Sequence, residues 1–185
     1  RFDGFSPYNQ IPFQYSVDVL ESADSKPKHY EFLYTEPDDP SKSFAESLQG
    51  HIGEKGSIIV WHKSFECGRN DEIAVRIPET LAFMAMLNNR VYDLEDIFLH
   101  QHHIHKAFRG GTSIKKILPV LVPELSYKEL EIQDGGSAAD TWNKIISGYF
   151  SEAEKEKVTN DLKIYCGLDT YAMYAIWHTL YKLLK

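Results

Sequence analysis

Apolar and polar side chains alternate between residues 11 and 20: Phe13, Tyr15, Val17 and Val19 against Gln14, Ser16 and Asp18. That period of two predicts a half-buried strand. The polar stretch 21–28, with Ser, Asp and Pro, predicts a hairpin loop, and 29–34 predicts the returning strand. Phe44, Ala45 and Leu48 recur at helical spacing, which predicts a helix over 41–49 and a turn over 50–56. Residues 57–62 form a short apolar run, the pattern of a strand buried on both faces. Helices are expected over 64–74 and 78–87, and a short strand or helix entry over 91–94.

Gly110-Gly111 breaks the chain, and Ser113 is placed to cap a short helix through Ile117 and Leu118. Residues 119–134 read as irregular. The last helix has the sharpest signature. Ser151 and Glu154 have the spacing of a capping box. Apolar positions then recur from Val158 through Leu162, Cys166, Met173, Ile176 and Leu180 to Leu184. Gly167 is expected to kink this helix or split it. The alternation of strands and helices predicts one α/β domain over residues 1–185, with no internal repeat.

Composition narrows the classes. The 185 residues are 43% hydrophobic and include 11 Tyr, 10 Phe and 3 Trp, enough to build a core and to exclude disorder for the bulk of the chain. The net charge of −7 argues against electrostatic coating of DNA. It leaves room for nucleic acid held through a metal and a local basic patch. The longest apolar run, 117–122, is far short of the roughly 18–20 residues of a membrane span, so no membrane partner is expected. Cys67 and Cys166 lack CxxC spacing, which disfavours a disulfide framework and makes the cytoplasm the expected location. Arg1 stands where an initiator Met is expected, so a longer natural chain with further domains is anticipated.

Two segments are candidates for chemistry. Asp169 falls on the apolar stripe of the last helix, four positions after Tyr165, so a phenol and a carboxylate project together. A carboxylate there is costly unless paired or metal-bound. If the helix breaks at Gly167, Asp169 instead caps its second half. His62-Lys63-Ser64-Phe65-Glu66 follows the apolar strand, at the strand end where α/β sites assemble. Glu66 is equally explained by the preference of acids for a helix N-terminus. Lys106, Arg109, Lys115 and Lys116 form a basic cluster suited to phosphate or to solvent. Trp61 and Phe65 suit base stacking or core packing. Tyr171, Tyr174, Trp177 and Tyr181 read as packing. The histidines at 100, 102, 103 and 105 suit an exposed polar segment better than a phosphate contact or zinc.

Together these segments carry a resemblance. His62-x-x-Phe65-Glu66 after a strand is similar to the second motif, HNxxFD, of DEDD 3′–5′ exonucleases. Tyr165-Cys166-Gly167-Leu168-Asp169 matches the YxxxD motif of their Tyr subclass. Val91-Tyr92-Asp93-Leu94 looks like their DTL segment, and residues 112–118 resemble their SLK helix. Pro7-Tyr8-x-Gln10-Ile11-Pro12-Phe13-Gln14 and Ser126-Tyr127-x-x-Leu130 resemble an uncharacterised bacterial domain family thought to share that fold.

The resemblance implies a ribonuclease-H-like mixed sheet flanked by helices. It also implies Mg²⁺ or Mn²⁺ as cofactor, and a nucleic-acid substrate taken as a single strand or 3′ end. Glu66 and Asp169 become metal ligands, and Tyr165 orients water or phosphate. His62, Phe65, Arg109, Ser113, Lys115 and Lys116 become substrate contacts. Glu66 departs from the usual Asp, and Lys63 from Asn. The first motif, Asp-x-Glu on strand one, is not matched by Asp3-Gly4-Phe5, so that strand is expected outside this chain. Two of the four acids of a two-metal centre are then present. The alternative is a catalytically inactive nucleic-acid-binding or scaffolding module on the same fold. A zinc module built on the histidines is a weaker rival.

Overall fold

The computed structural model describes residues 2, 5 and 9–185. The anticipated mismatch at Asp3-Gly4, and Pro7-Tyr8 of the resemblance, therefore lie outside the described residues. Among the described residues, four strands and seven α-helices form a mixed α/β structure.

Strand β1 (Gln14–Val19) pairs antiparallel with β2 (Lys28–Leu33), Gln14 opposite Leu33 and Val19 opposite Lys28. The alternation seen in the sequence divides β1 between two layers. Tyr15 turns toward helix α1 (Ser41–His51), where its hydroxyl reaches Ser47 Oγ and His51 Nδ1, each at 2.7 Å. Tyr15 and α1's Phe44 and Leu48 share one core with Ile73, Met84 and Leu87.

Strand β3 (Ile58–Val60) leads into α2 (Lys63–Arg76), and a 3-10 turn at Pro78–Thr80 leads into α3 (Leu81–Asn88). Strand β4 (Val91–Asp93) then pairs parallel with β3. The expectation that the 57–62 run is buried on both faces is corrected: Ile59 is 38% exposed and its neighbours are half-buried. The cause is topological, because β3 has a neighbour only on its β4 side and the two pairs form separate sheets.

Helices α4 (Asp96–Leu99) and α5 (Ile114–Leu121) pack with the C-terminal helix around Ile117, Leu118, Ala172 and Ile176. Ser113 stands at the N-cap of α5, but its side chain makes no capping bond. Pro119 lies inside α5 rather than in an irregular stretch. Helix α6 (Gly135–Ile146) was not expected; its signal is Asp134 at the N-cap, accepting from Ser137 N at 2.9 Å, then Ala138, Trp142 and Ile145 buried at helical spacing.

Helix α7 (Glu152–Leu183) opens with the expected capping box. It runs unbroken through Gly167, which corrects the predicted kink. Packing on both sides explains this: Leu162, Ala172 and Ile176 are fully buried, and Thr170 Oγ1 donates to the Ser16 carbonyl of β1 at 3.0 Å. Both cysteines are free. No helix of the described residues is long and apolar enough to cross a membrane.

Candidate functional site

The approach of α2 to the site is set by Asp93 at the end of β4. Its carboxylate accepts His62 N at 3.0 Å, Lys63 N at 2.6 Å and Glu95 N at 3.0 Å. A strand-end carboxylate thus supplies the cap that His62, in the left-handed conformation at φ 73°, does not provide. Lys63 Nζ donates to the Val91 carbonyl at 2.9 Å, tying the helix start to β4. Glu66 follows in the first turn of α2, at the carboxyl end of β3.

Asp169 arrives from the opposite side on α7. Because that helix is continuous, Asp169 is not a cap. Tyr165 precedes it by one turn, and both line one cavity with Glu66. Tyr127, from the segment after α5, donates to Asp169 Oδ1 at 2.6 Å. The cavity is about 1590 Å³, and its walls include β1, β3, α2 and α7.

Electrostatics bind these residues into one unit. Surrounding protein and the Asp169 charge push the Glu66 carboxyl up to about 6, against a smaller opposing pull from His62 and Arg69. Solvent still reaches Glu66 through the cavity. Burial also raises Asp169, while the Tyr127 and Tyr165 hydroxyls and the Lys115 ammonium pull it back. Burial and then the Asp169 charge hold both tyrosine hydroxyls well above their ordinary value, so they stay protonated donors. Burial pushes the Cys166 thiol up to about 12. The Asp169 charge raises the proton affinity of Glu66, and a hard divalent cation would relieve that repulsion. Carboxylate oxygens such as those of Glu66 and Asp169 are the donors that Mg²⁺ and Mn²⁺ prefer. Among the described residues no three His, Cys, Asp or Glu side chains gather as a fuller metal-holding group.

The remaining candidates separate. Phe65, 44% exposed, and Lys115 line the cavity. Lys115 Nζ also donates to the Gln133 carbonyl. His62 sits beside Glu66 but turns to Glu95, its Nδ1 3.3 Å from Oε2. Arg109, Ser113 and Lys116 are exposed away from the cavity walls; Lys116 lies across Gly111 instead. Trp61 packs against Phe98 with centroids 5.6 Å apart, the core alternative. Tyr174 and Trp177, read as packing, line the cavity. Three of the four clustered histidines are exposed, and His100 faces Asp96 at 3.5 Å. Sequence reasoning missed the roles of Tyr127 and Arg69, another lining residue; the Ser126-Tyr127-x-x-Leu130 run was the only signal for the former.

The fold and the site define an α/β protein whose two sheets and long C-terminal helix enclose a paired-carboxylate cavity. The chain belongs to the family described as a domain of unknown function, DUF2779, whose model matches residues 1–113. It is similar to an uncharacterized protein of Ureaplasma parvum, 28% identical over 201 aligned residues that cover 98% of this chain. An uncharacterized protein of Mycoplasma genitalium is 29% identical, with 97% of this chain covered. A homologue of the latter in Mycoplasma pneumoniae is 29% identical, with 92% covered. The chain spans 28–29% of the length of these relatives. No solved structure matches it.

Proposed function

We propose that this chain belongs to the catalytic part of a metal-dependent 3′–5′ exonuclease that hydrolyses phosphodiester bonds in DNA or RNA, on a ribonuclease-H-like fold in the cytoplasm. The observation that carries this is the convergence of Glu66, Tyr165 and Asp169, from segments about a hundred positions apart, on one cavity. Those are the residues the motif resemblance singles out.

Glu66 and Asp169 would hold Mg²⁺ or Mn²⁺ through carboxylate oxygens, and the cation would supply charge stabilisation and an activated water. The chain's own groups position the rest. Tyr165 keeps its proton at neutral pH, so it donates to the water or the scissile phosphate rather than acting as a base. Tyr127 fixes the Asp169 carboxylate through its 2.6 Å bond. The Lys115 ammonium, close enough to Asp169 to lower its proton affinity, is suited to a phosphate oxygen. The exposed Phe65 ring is suited to stacking on a terminal base.

A second reading, an inactive binding module, is favoured by one observation: among the described residues no three His, Cys, Asp or Glu side chains gather closely enough to hold a metal ion. An assay on the natural full-length protein separates the two. With Mn²⁺, single strands labelled at the 3′ end should lose labelled mononucleotide first, and Asp169→Asn should abolish that release. Tight binding of the same strands by folded protein, with no release from either DNA or RNA, is the outcome that favours the inactive module.

A further inference from the structure

The two sheets face the same cavity with the edges that no other strand covers. In β1 the phase of pairing is set by the Tyr34 N–H, which donates to the Phe13 carbonyl at 2.9 Å. Residues 13, 15, 17 and 19 therefore bond to β2, and the backbone groups of Gln14, Ser16 and Asp18 point the other way; of these, the Ser16 carbonyl accepts the Thr170 hydroxyl of α7 at 3.0 Å, and no strand covers the edge. In β3 the Ile58 N–H donates to the Arg90 carbonyl at 2.9 Å, and the Val60 carbonyl accepts the Leu94 N–H at 2.8 Å. Ile58 and Val60 therefore serve the ladder with β4, and Ile59 turns its N–H and C=O outward. Both edges line the cavity.

The walls carry further unmet groups. Ser16 Oγ, Asp18 Oδ2 and Trp61 Nε1 are buried without a hydrogen-bond partner. Buried polar atoms of this kind are rare and call for an explanation. Beside the polar group at Glu66, Tyr165 and Asp169, the lining includes Phe44, Leu48 and Ile73 from one core cluster and Met173 and Trp177 from another. At about 1590 Å³ it exceeds the ~300–1,000 Å³ of a small-molecule site.

We propose that this cavity is a slot for one added β-strand, which joins β1 and β3 into a single sheet. The strand is apolar on both faces, because it meets apolar side chains from the α1–α2 layer and from α7, as strands buried on both faces do. It comes from the same polypeptide, outside residues 1–185. A second copy offers no suitable strand: every strand among the described residues is already paired along one edge, whereas the slot takes a strand with both edges free. The relatives have chain to spare, since this chain spans under a third of their length. The inference goes beyond the nuclease reading and does not need it, because an inactive module of this fold carries the same slot.

Amide hydrogen exchange on the natural full-length protein, read residue by residue, tests the slot without reference to activity. The Ser16, Asp18 and Ile59 amides should exchange about a hundredfold or more slower than those of loop 21–27, in line with Tyr15 and Val17. Protection should not vary with protein concentration. Exchange as fast as the loop, or protection that appears only at high concentration, overturns the proposal.

Coupling across the slot gives the second arm. Ile59→Pro removes an N–H that the β4 ladder does not use, so β3 should keep its pairing. If one strand bridges the walls, this change speeds exchange at Ser16 and Asp18 by about tenfold or more, and Ser16→Pro does the same at Ile59. Where either variant fails to fold, the other is read. Unchanged exchange on the opposite wall in a folded variant contradicts a bridging strand.

Discussion

Glu66 occupies a position that costs stability when ionised. Its carboxyl titrates at about 6 in the folded chain against an ordinary value of 4.5. A raised folded-state value means that the folded state holds its proton longer than the unfolded state. Stability should therefore fall as pH rises through the window from about 4.5 to 6, and level off above it. Glu66→Gln removes that term. In cation-free buffer the variant should melt higher than the parent at pH 7, with a flatter melting-temperature profile between pH 4.5 and 6. Thermal unfolding by circular dichroism across that range checks it, and a lower melting temperature at pH 7 would count against the like-charge account. At this scale the sequence singled out three residues that line one cavity, but not their partners. Glu66, Tyr165 and Asp169 were legible because their spacing follows a motif. Tyr127 and Asp93 were not, because each acts through a contact made far along the chain: Tyr127 on Asp169, and Asp93 on the N-terminus of α2.

Elements with dense local signals were read closely. The β1–β2 hairpin, α1 and the capping box of α7 follow from alternation, helical spacing and a Ser-x-x-Glu run. Gly167 misled because glycine's intrinsic cost in a helix is local, while the packing that overrides it is not. A Cβ added there meets nothing nearer than His29 Cε1 at 3.8 Å, an ordinary contact. Gly167→Ala should therefore stabilise the fold by about 0.5–1 kcal/mol, the usual difference between the two residues in a helix interior. Chemical denaturation reads this directly. A loss of stability would show that α7 needs glycine for close approach to β2. Helix α6 was hidden for a different reason: Gly135 and Gly136 at its start are poor helix formers, and its Asp134 cap becomes meaningful only beside the buried Trp142 face.

At the scale of the whole molecule, the antiparallel β1–β2 hairpin and the β3 segment were visible in the pattern, but the parallel pairing of β3 with β4 and the failure of the two pairs to join were not. Sheet continuity depends on which edges meet, and periodicity within a strand carries no such information. Glu66 from the β3–α2 corner and Asp169 from α7 both line the cavity that this gap leaves. The central claim is that these two carboxylates form one divalent-cation centre. Titrating Mn²⁺ into the natural full-length protein, followed by electron paramagnetic resonance, tests it most directly. Binding should be present at pH 7.5, should weaken as pH falls below about 6 where Glu66 takes up its proton, and should drop about tenfold or more in both Glu66→Gln and Asp169→Asn. Equal Mn²⁺ affinity in the parent and both folded variants would contradict the account.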